Sequence, residues 1–222
     1  EGWSTKPAIS FSCGEFFEKA FDFNQTLTAL PAGTYQFKGQ AFQRPGNTED
    51  VYKAFTAGQD NVNVVIYAGD EEAKIQNIAA EAQTKKLGGS ETAVGSNPTR
   101  YVPNNMRAAS FYFAAELYDN GVVTQLDEDD SKMKVGMRCE EVQAAYWTIF
   151  DNFRLYYYGT MSPDQVTSIR QTVADKAQLD GPFATPADVY SLSGIRVRQQ
   201  ATSLDGLPQG IYIVNGYKLV VR

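Results

Sequence analysis

An all-β chain is what this sequence predicts: a jelly-roll β-sandwich carrying one inserted helix, then a linking helix and a small C-terminal β segment. Three observations lead there. Short stretches alternate apolar and polar residues with the period of two expected of half-buried strands. Pro, Gly and Asn clusters punctuate them. Only one segment before residue 160 reads strongly as a helix, and the character of the chain changes after it. The expected organisation is therefore a sandwich over 1–159, a helix and linker over 160–187, and a small β segment over 188–222.

Taken in order, "FDFNQTLTAL" (21–30) sets Phe21, Phe23, Gln25 and Leu27 against Asp22, Asn24, Thr26 and Thr28. Pro31-Ala32-Gly33 turns the chain, and 34–44 returns with Tyr35, Phe37, Gly39 and Ala41 in phase. "NVNVVIYAG" (61–69) is β-rich. Residues 70–83 suit either a helix or a short strand, and 85–99 is a polar Gly/Ser loop. "NNMRAASFYFAAELYDNG" (104–121) predicts a helix with an Asn cap, a face of Met106, Ala109, Phe113 and Leu117, and a stop at Asn120-Gly121. Residues 122–140 predict a hairpin whose second arm places Met133, Val135, Met137 and Cys139 on one side and Lys132, Lys134 and Arg138 on the other. "WTIFDNFRLYYYG" (147–159) predicts the closing strand. Ser162, Pro163 and Gln165 open a helix over 162–178 with a capping box. Residues 179–187 form a Pro/Gly linker, and Asn215-Gly216 marks a hairpin turn in the tail.

Composition removes several functions. The net charge of −6 over 222 residues disfavours a nucleic-acid or anionic-membrane partner, and no apolar run reaches the ~18 residues of a membrane span. The chain has no histidine, which excludes Ser-His-Asp and Cys-His catalysis within it and His-ligated zinc or iron. Carboxylate chemistry, oxygen-ligated metals or no catalysis remain. Cys13 and Cys139 are too few for a disulfide framework, and their pairing stays open. Starting at Glu1 rather than Met, the chain reads as a processed or trimmed product.

"EFFEKAFDFNQTLTALPAGTYQFKGQAFQR", "VPNNMRAASFYFAAELYDN" and "MKVGMR…YWTIFDNFRLYYYG" together resemble the opening, middle and closing segments of secreted bacterial jelly-roll domains of the galactose-binding-like kind, which include many carbohydrate-binding modules. The resemblance covers roughly residues 13–159. It implies a non-catalytic, glycan-binding role in the secreted, periplasmic or cell-surface compartment. In such modules the aspartate of an FDNFRL-type closing strand often helps hold a structural calcium. "VYSLSGIRV…GLPQGIYIVNGYKLVVR" resembles short C-terminal sorting-type segments, and implies a protein partner for the tail.

Two groups of residues are candidates for a site. Strand parity puts Glu15 in line with Phe11, Cys13 and Phe17, and Asp151 in line with Ile149, Phe153 and Leu155. A buried carboxylate needs a partner, and first and last strands are neighbours in a jelly roll. A calcium shared by Glu15 and Asp151 would satisfy both. A bulge that resets the phase, or bonds to backbone N–H or arginine, would do so without metal. The second group is outward: Asn24, Tyr67, Lys134 and Arg138 offer amide, aromatic and cationic groups to an oligosaccharide, even an anionic one; an ordinary solvated sheet face is the plainer alternative. The acidic turn 127–130 reads as a solvated tip. Trp3, Tyr52 and Tyr101 fall in expected loops. Carbohydrate binding leads, a structural or protein-interaction module is second, and a carboxylate-only glycosidase is a weaker third.

Overall fold

The computed structural model describes residues 7–167, 187–191, 195–214 and 217–221. It forms two compact units, 1–163 and 164–222.

The first unit is built from antiparallel sheets. Its strands are β1 (Ala8–Ser10), β2 (Cys13–Phe17), β3 (Phe21–Leu30), β4 (Gly33–Pro45), β5 (Val65–Ala68), β6 (Glu71–Lys74), β7 (Gln76–Asn77), β8 (Glu91–Val94), β9 (Arg100–Pro103), β10 (Asp119–Leu126), β11 (Ser131–Cys139) and β12 (Tyr146–Tyr157), with helices α1 (Thr48–Thr56) and α2 (Met106–Ala114). One sheet runs β1-β2-β12-β4-β10, with β7 alongside β4; a second runs β3-β11-β5-β6; β8 and β9 pair separately. The strand that carries Glu15 and the closing strand are neighbours, since β2 pairs β12, while the first strand, β1, is one place further out.

The two larger sheets share one apolar cluster. Phe16, Tyr35, Phe37, Ala41, Val122 and Phe150 come from the first, and Phe21, Phe23, Ile66, Met133, Val135 and Met137 from the second. For β3, β4 and β11 these are the apolar phases read from the sequence; Phe16 and Phe150 instead come from the faces opposite to those read for β2 and β12, because both faces of the first sheet are buried. The other side of the first sheet is buried too: Cys13, Phe42, Trp147 and Ile149 pack with Val51, Val94, Val102, Met106, Ala109, Tyr112 and Phe113 from α1, α2, β8 and β9.

The turns behave differently from expectation. Strands 21–30 and 34–44 are consecutive, as are those on either side of the acidic turn, yet each pair is split between sheets: β3 and β11 in one, β4 and β10 in the other. These turns are corners between layers, and 122–140 is not a hairpin. The two corners are tied together, Asp129 Oδ1 accepting from the Ala32 N–H at 2.8 Å.

Three local readings also change. Residues 47–53, expected as a loop that includes Tyr52, instead form the N-cap (Asn47) and the first turns of α1, with Glu49 and Asp50 in its first turn, where acids favour the dipole. Helix α2 has the expected Asn cap, the Asn105 side chain accepting from Ala108 N–H, but stops at Ala114. There the buried Gln40 side chain of β4 donates to the carbonyls of Phe113 and Leu117, both at 2.8 Å, and Asp119 starts β10. Residues 70–83 take the short-strand option as β6 and β7.

The second unit holds β13 (Ala187–Ser191), β14 (Arg196–Ala201), β15 (Gly210–Val214) and β16 (Tyr217–Val221), ordered β14-β13-β15-β16. It has a small core of its own, Ala187, Val189, Ala201, Tyr212 and Val214. Residues 163–167 are helical; the remainder of the expected 162–178 helix, the linker to 186 and Asn215-Gly216 lie outside the described residues.

Candidate functional site

The outer face of β3-β11-β5 carries all four expected ligand residues. On β11, Gly136 is opposite Asn24 of β3 and Tyr67 of β5. Gly136 has no side chain to stand up between the two neighbouring strands. A Cβ there would meet Phe23 O at 2.3 Å and Asn24 Cα at 2.9 Å. The space lets the Tyr67 ring cross β11, and its hydroxyl donates to Asp22 Oδ1 of β3 at 2.5 Å. A glycine inside a strand signals such close approach, and it is the clue that strand parity alone passes over.

Lys134 and Arg138, two residues either side of Gly136, close over the same ring at 5.7 Å and 5.1 Å. Tyr67 is only 4% exposed, so its ring is not the open platform expected for a sugar. Lys134 Nζ pairs with Asp22 Oδ2 at 2.7 Å, and Arg138 pairs with Glu72 of β6 and lies 3.5 Å from Glu140. Asn24 is buried and donates to the Asp22 carbonyl at 3.1 Å. Asp22, read on the polar side of its strand but not as a ligand residue, and Glu72, not read on this face at all, complete it.

Electrostatics follows this geometry. Burial pushes the Asp22 carboxyl up, but hydrogen bonds from Lys134, Tyr67 and Asn24 outweigh it and the net shift is down. A lowered folded value adds stability above the ordinary carboxylate pKa of about 4, lost as pH falls through the folded value. Burial and the Asp22 bond raise Tyr67, keeping it a donor.

Glu15 and Asp151 both belong to the β2–β12 pair and line different clefts. Both lie on the side of the sheet opposite Phe16 and Phe150. Glu15 Oε2 accepts from Trp147 Nε1 at 2.7 Å and lines a cleft with Phe17 and Arg44. Asp151 lines a different one with Gly14 and Phe23, and its Oδ1 accepts from Asn152 N–H at 2.7 Å. Beyond Asp151 the register with β4 slips and Asn152 adopts φ 55°. The bulge returns Phe153 to the Phe150 side, where it packs on Phe23, Phe37 and Phe150. The shared phase of Asp151, Phe153 and Leu155 is thereby broken by a bulge of the kind the sequence left open. Among the described residues, no group of three or more Cys, Asp and Glu side chains is placed to hold a metal.

Burial raises the Asp151 carboxyl, partly offset by the Asn152 N–H. A raised folded value favours the fold below the ordinary carboxylate pKa of about 4 and opposes it as pH climbs through the folded value. In chelator, Asp151→Asn is therefore expected to melt above the parent at pH 7, with the gap closing in acid. Equal melting at pH 7 would remove the argument.

Cys13 and Cys139 are free and buried, in the two different apolar clusters. Burial, with the nearby Asp151 charge, pushes the Cys13 thiol up to about 12, and burial also raises Cys139. Both should resist a thiol reagent in native buffer and react in denaturant, and reductant should leave the melting temperature unchanged. A fall in melting temperature with reductant would show a disulfide. Of the expected loop aromatics, Tyr52 is in α1 and Tyr101 in β9, beneath Lys86 at 5.5 Å; Trp3 lies outside the described residues. No helix among the described residues is long and apolar enough to cross a membrane.

No family model, no curated protein and no solved structure matches this chain.

Proposed function

We propose that the chain is a non-catalytic carbohydrate-binding module of a secreted or cell-surface bacterial protein, built on a galactose-binding-like jelly roll, with Asn24, Tyr67, Lys134 and Arg138 on the glycan-binding face. Layer-crossing corners and a closing strand beside β2 support the jelly roll. The observation that carries the function is the braced face itself. Carboxylates and cations alternate across β3, β11 and β6, held in place by a tyrosine lying over Gly136. Such a lattice can donate to and accept from vicinal hydroxyls. Because its cations are already paired, it suits a neutral sugar better than an anionic one. The covering elements α1, α2, β8 and β9 pack on the other sheet rather than on this one.

Calorimetric titration with neutral oligosaccharides tests the assignment. Tyr67→Ala removes the brace and Arg138→Ala one donor; each is expected to weaken binding at least tenfold, about 1.4 kcal/mol. A glycan bound equally by parent and both variants would place the site elsewhere. Calcium at Glu15 and Asp151 is an accessory proposal: chelator should lower the melting temperature, and Asp151→Ala should abolish that response. A melting curve indifferent to chelator removes the metal without touching the glycan reading.

The second reading, a structural or protein-interaction module, is favoured by the exposed Ile9, Phe11 and Phe17 around edge strand β1, at 74%, 56% and 53%. Concentration-dependent self-association or capture of a defined surface-protein partner, with no glycan bound, would select it.

A further inference from the structure

At the α2 end of the first sheet a cleft of about 370 Å³ opens, within the size range of small-ligand sites. Its floor is a row across three strands. Trp147 of β12 is paired with Phe17 of β2 on one side and Arg44 of β4 on the other. Phe11, from the β1–β2 turn, and Asn104, Asn105 and Arg107, at the start of α2, complete the wall.

The charges of this cleft are not balanced within it. The Arg44 guanidinium lies over the Trp147 ring at 5.1 Å. Its NH2 reaches the Ala145 carbonyl at 3.5 Å, while its Nε is buried with no hydrogen-bond partner in the structure. Arg107 stands over Phe11 at 5.9 Å. Among the described residues neither arginine forms an ion pair. The facing carboxylate is Glu15, already accepting from Trp147 Nε1. The first turn of α2 contains no acid, so the positive end of its dipole adds to the two cations. Two guanidiniums against one carboxylate leave one positive charge over, in a cleft flanked by exposed aromatic rings.

We infer that this cleft binds a carboxylate carried on a sugar ring, a uronic acid residue. Arg107 and Arg44 take the carboxylate, Phe11 and Phe17 the ring's apolar face, and Asn104 and Asn105 its hydroxyls. A planar guanidinium matches a carboxylate with two parallel hydrogen bonds, and an aromatic ring suits a sugar's C–H face. The inference rests on the glycan reading but uses a second place on the molecule: the braced sheet face takes neutral sugar, the arginine cleft the acidic one.

The test is a nitrogen-15 NMR titration of the full chain with cellobiouronic acid and, separately, with its neutral counterpart cellobiose. The acid is expected to shift the Trp147 indole N–H saturably, cellobiose not. Arg107→Gln, on an exposed residue, should weaken the acid at least fivefold. Arg44→Lys, which keeps the charge but loses the fork, should weaken it too, while Tyr67→Ala should leave it unchanged. Absence of saturable shifts with the acid, an equal response to cellobiose at Trp147, or unchanged affinity in Arg107→Gln would each overturn the inference. Neutral-sugar binding that depends on Tyr67 would survive any of those results, so failure of the cleft and failure of the glycan reading are separable.

Discussion

Phe150→Ala is expected to cost about 3–5 kcal/mol of stability, the range for emptying a well-packed aromatic site. Phe150 joins the two sheets. Its ring lies 5.7 Å from Phe16, 4.9 Å from Phe23 and 5.6 Å from Phe153, and it covers Gly14, where a Cβ would come within 2.5 Å of the ring. Deleting it strips one wall from each of these rings, and the bulge at 151–152 holds the strand so that little can collapse into the gap. Urea unfolding followed by circular dichroism measures the loss. A cost under 1 kcal/mol would mean that the two sheets do not share this cluster.

Gln40→Ala should be nearly as damaging, by about 3 kcal/mol, because it leaves several buried groups unpaired at about 1–3 kcal/mol each. Gln40 is 3% exposed. Its amide nitrogen serves the carbonyls of Phe113 and Leu117, and its oxygen accepts from Asn152 Nδ2 at 2.6 Å. One side chain thus ends α2 and steadies the bulge. Gln40→Glu keeps the acceptor for Asn152 and loses both donations, so it should recover only part of the stability; full recovery would show that the helix end does not depend on this bond.

Strand parity was legible wherever one face meets a core: Phe21 and Phe23, and Met133 to Cys139, point as their alternation requires. Pairing was not legible. A Pro-Gly or acidic turn looks the same whether the next strand folds back beside its predecessor or crosses to the other layer, and β3–β4 and β10–β11 cross. Parity also failed across Asp151, because a left-handed Asn152 adds one unpaired residue that no alternation announces. The end of α2 was overrun because its cap comes from Gln40, more than seventy residues away in the chain. At the sheet face, the sequence placed Asn24, Tyr67, Lys134 and Arg138 on one side. It did not show that Asp22 and Glu72 would neutralise the cations, since those partners come from other strands, or that Gly136 would let the tyrosine lie flat.

The most direct measurement is a glycan-array screen of the purified 222-residue chain beside Tyr67→Ala. The account predicts retention on at least one class of neutral oligosaccharide by the parent, with that signal lost in the variant. An array silent for the parent, or lit equally by both proteins, would contradict it.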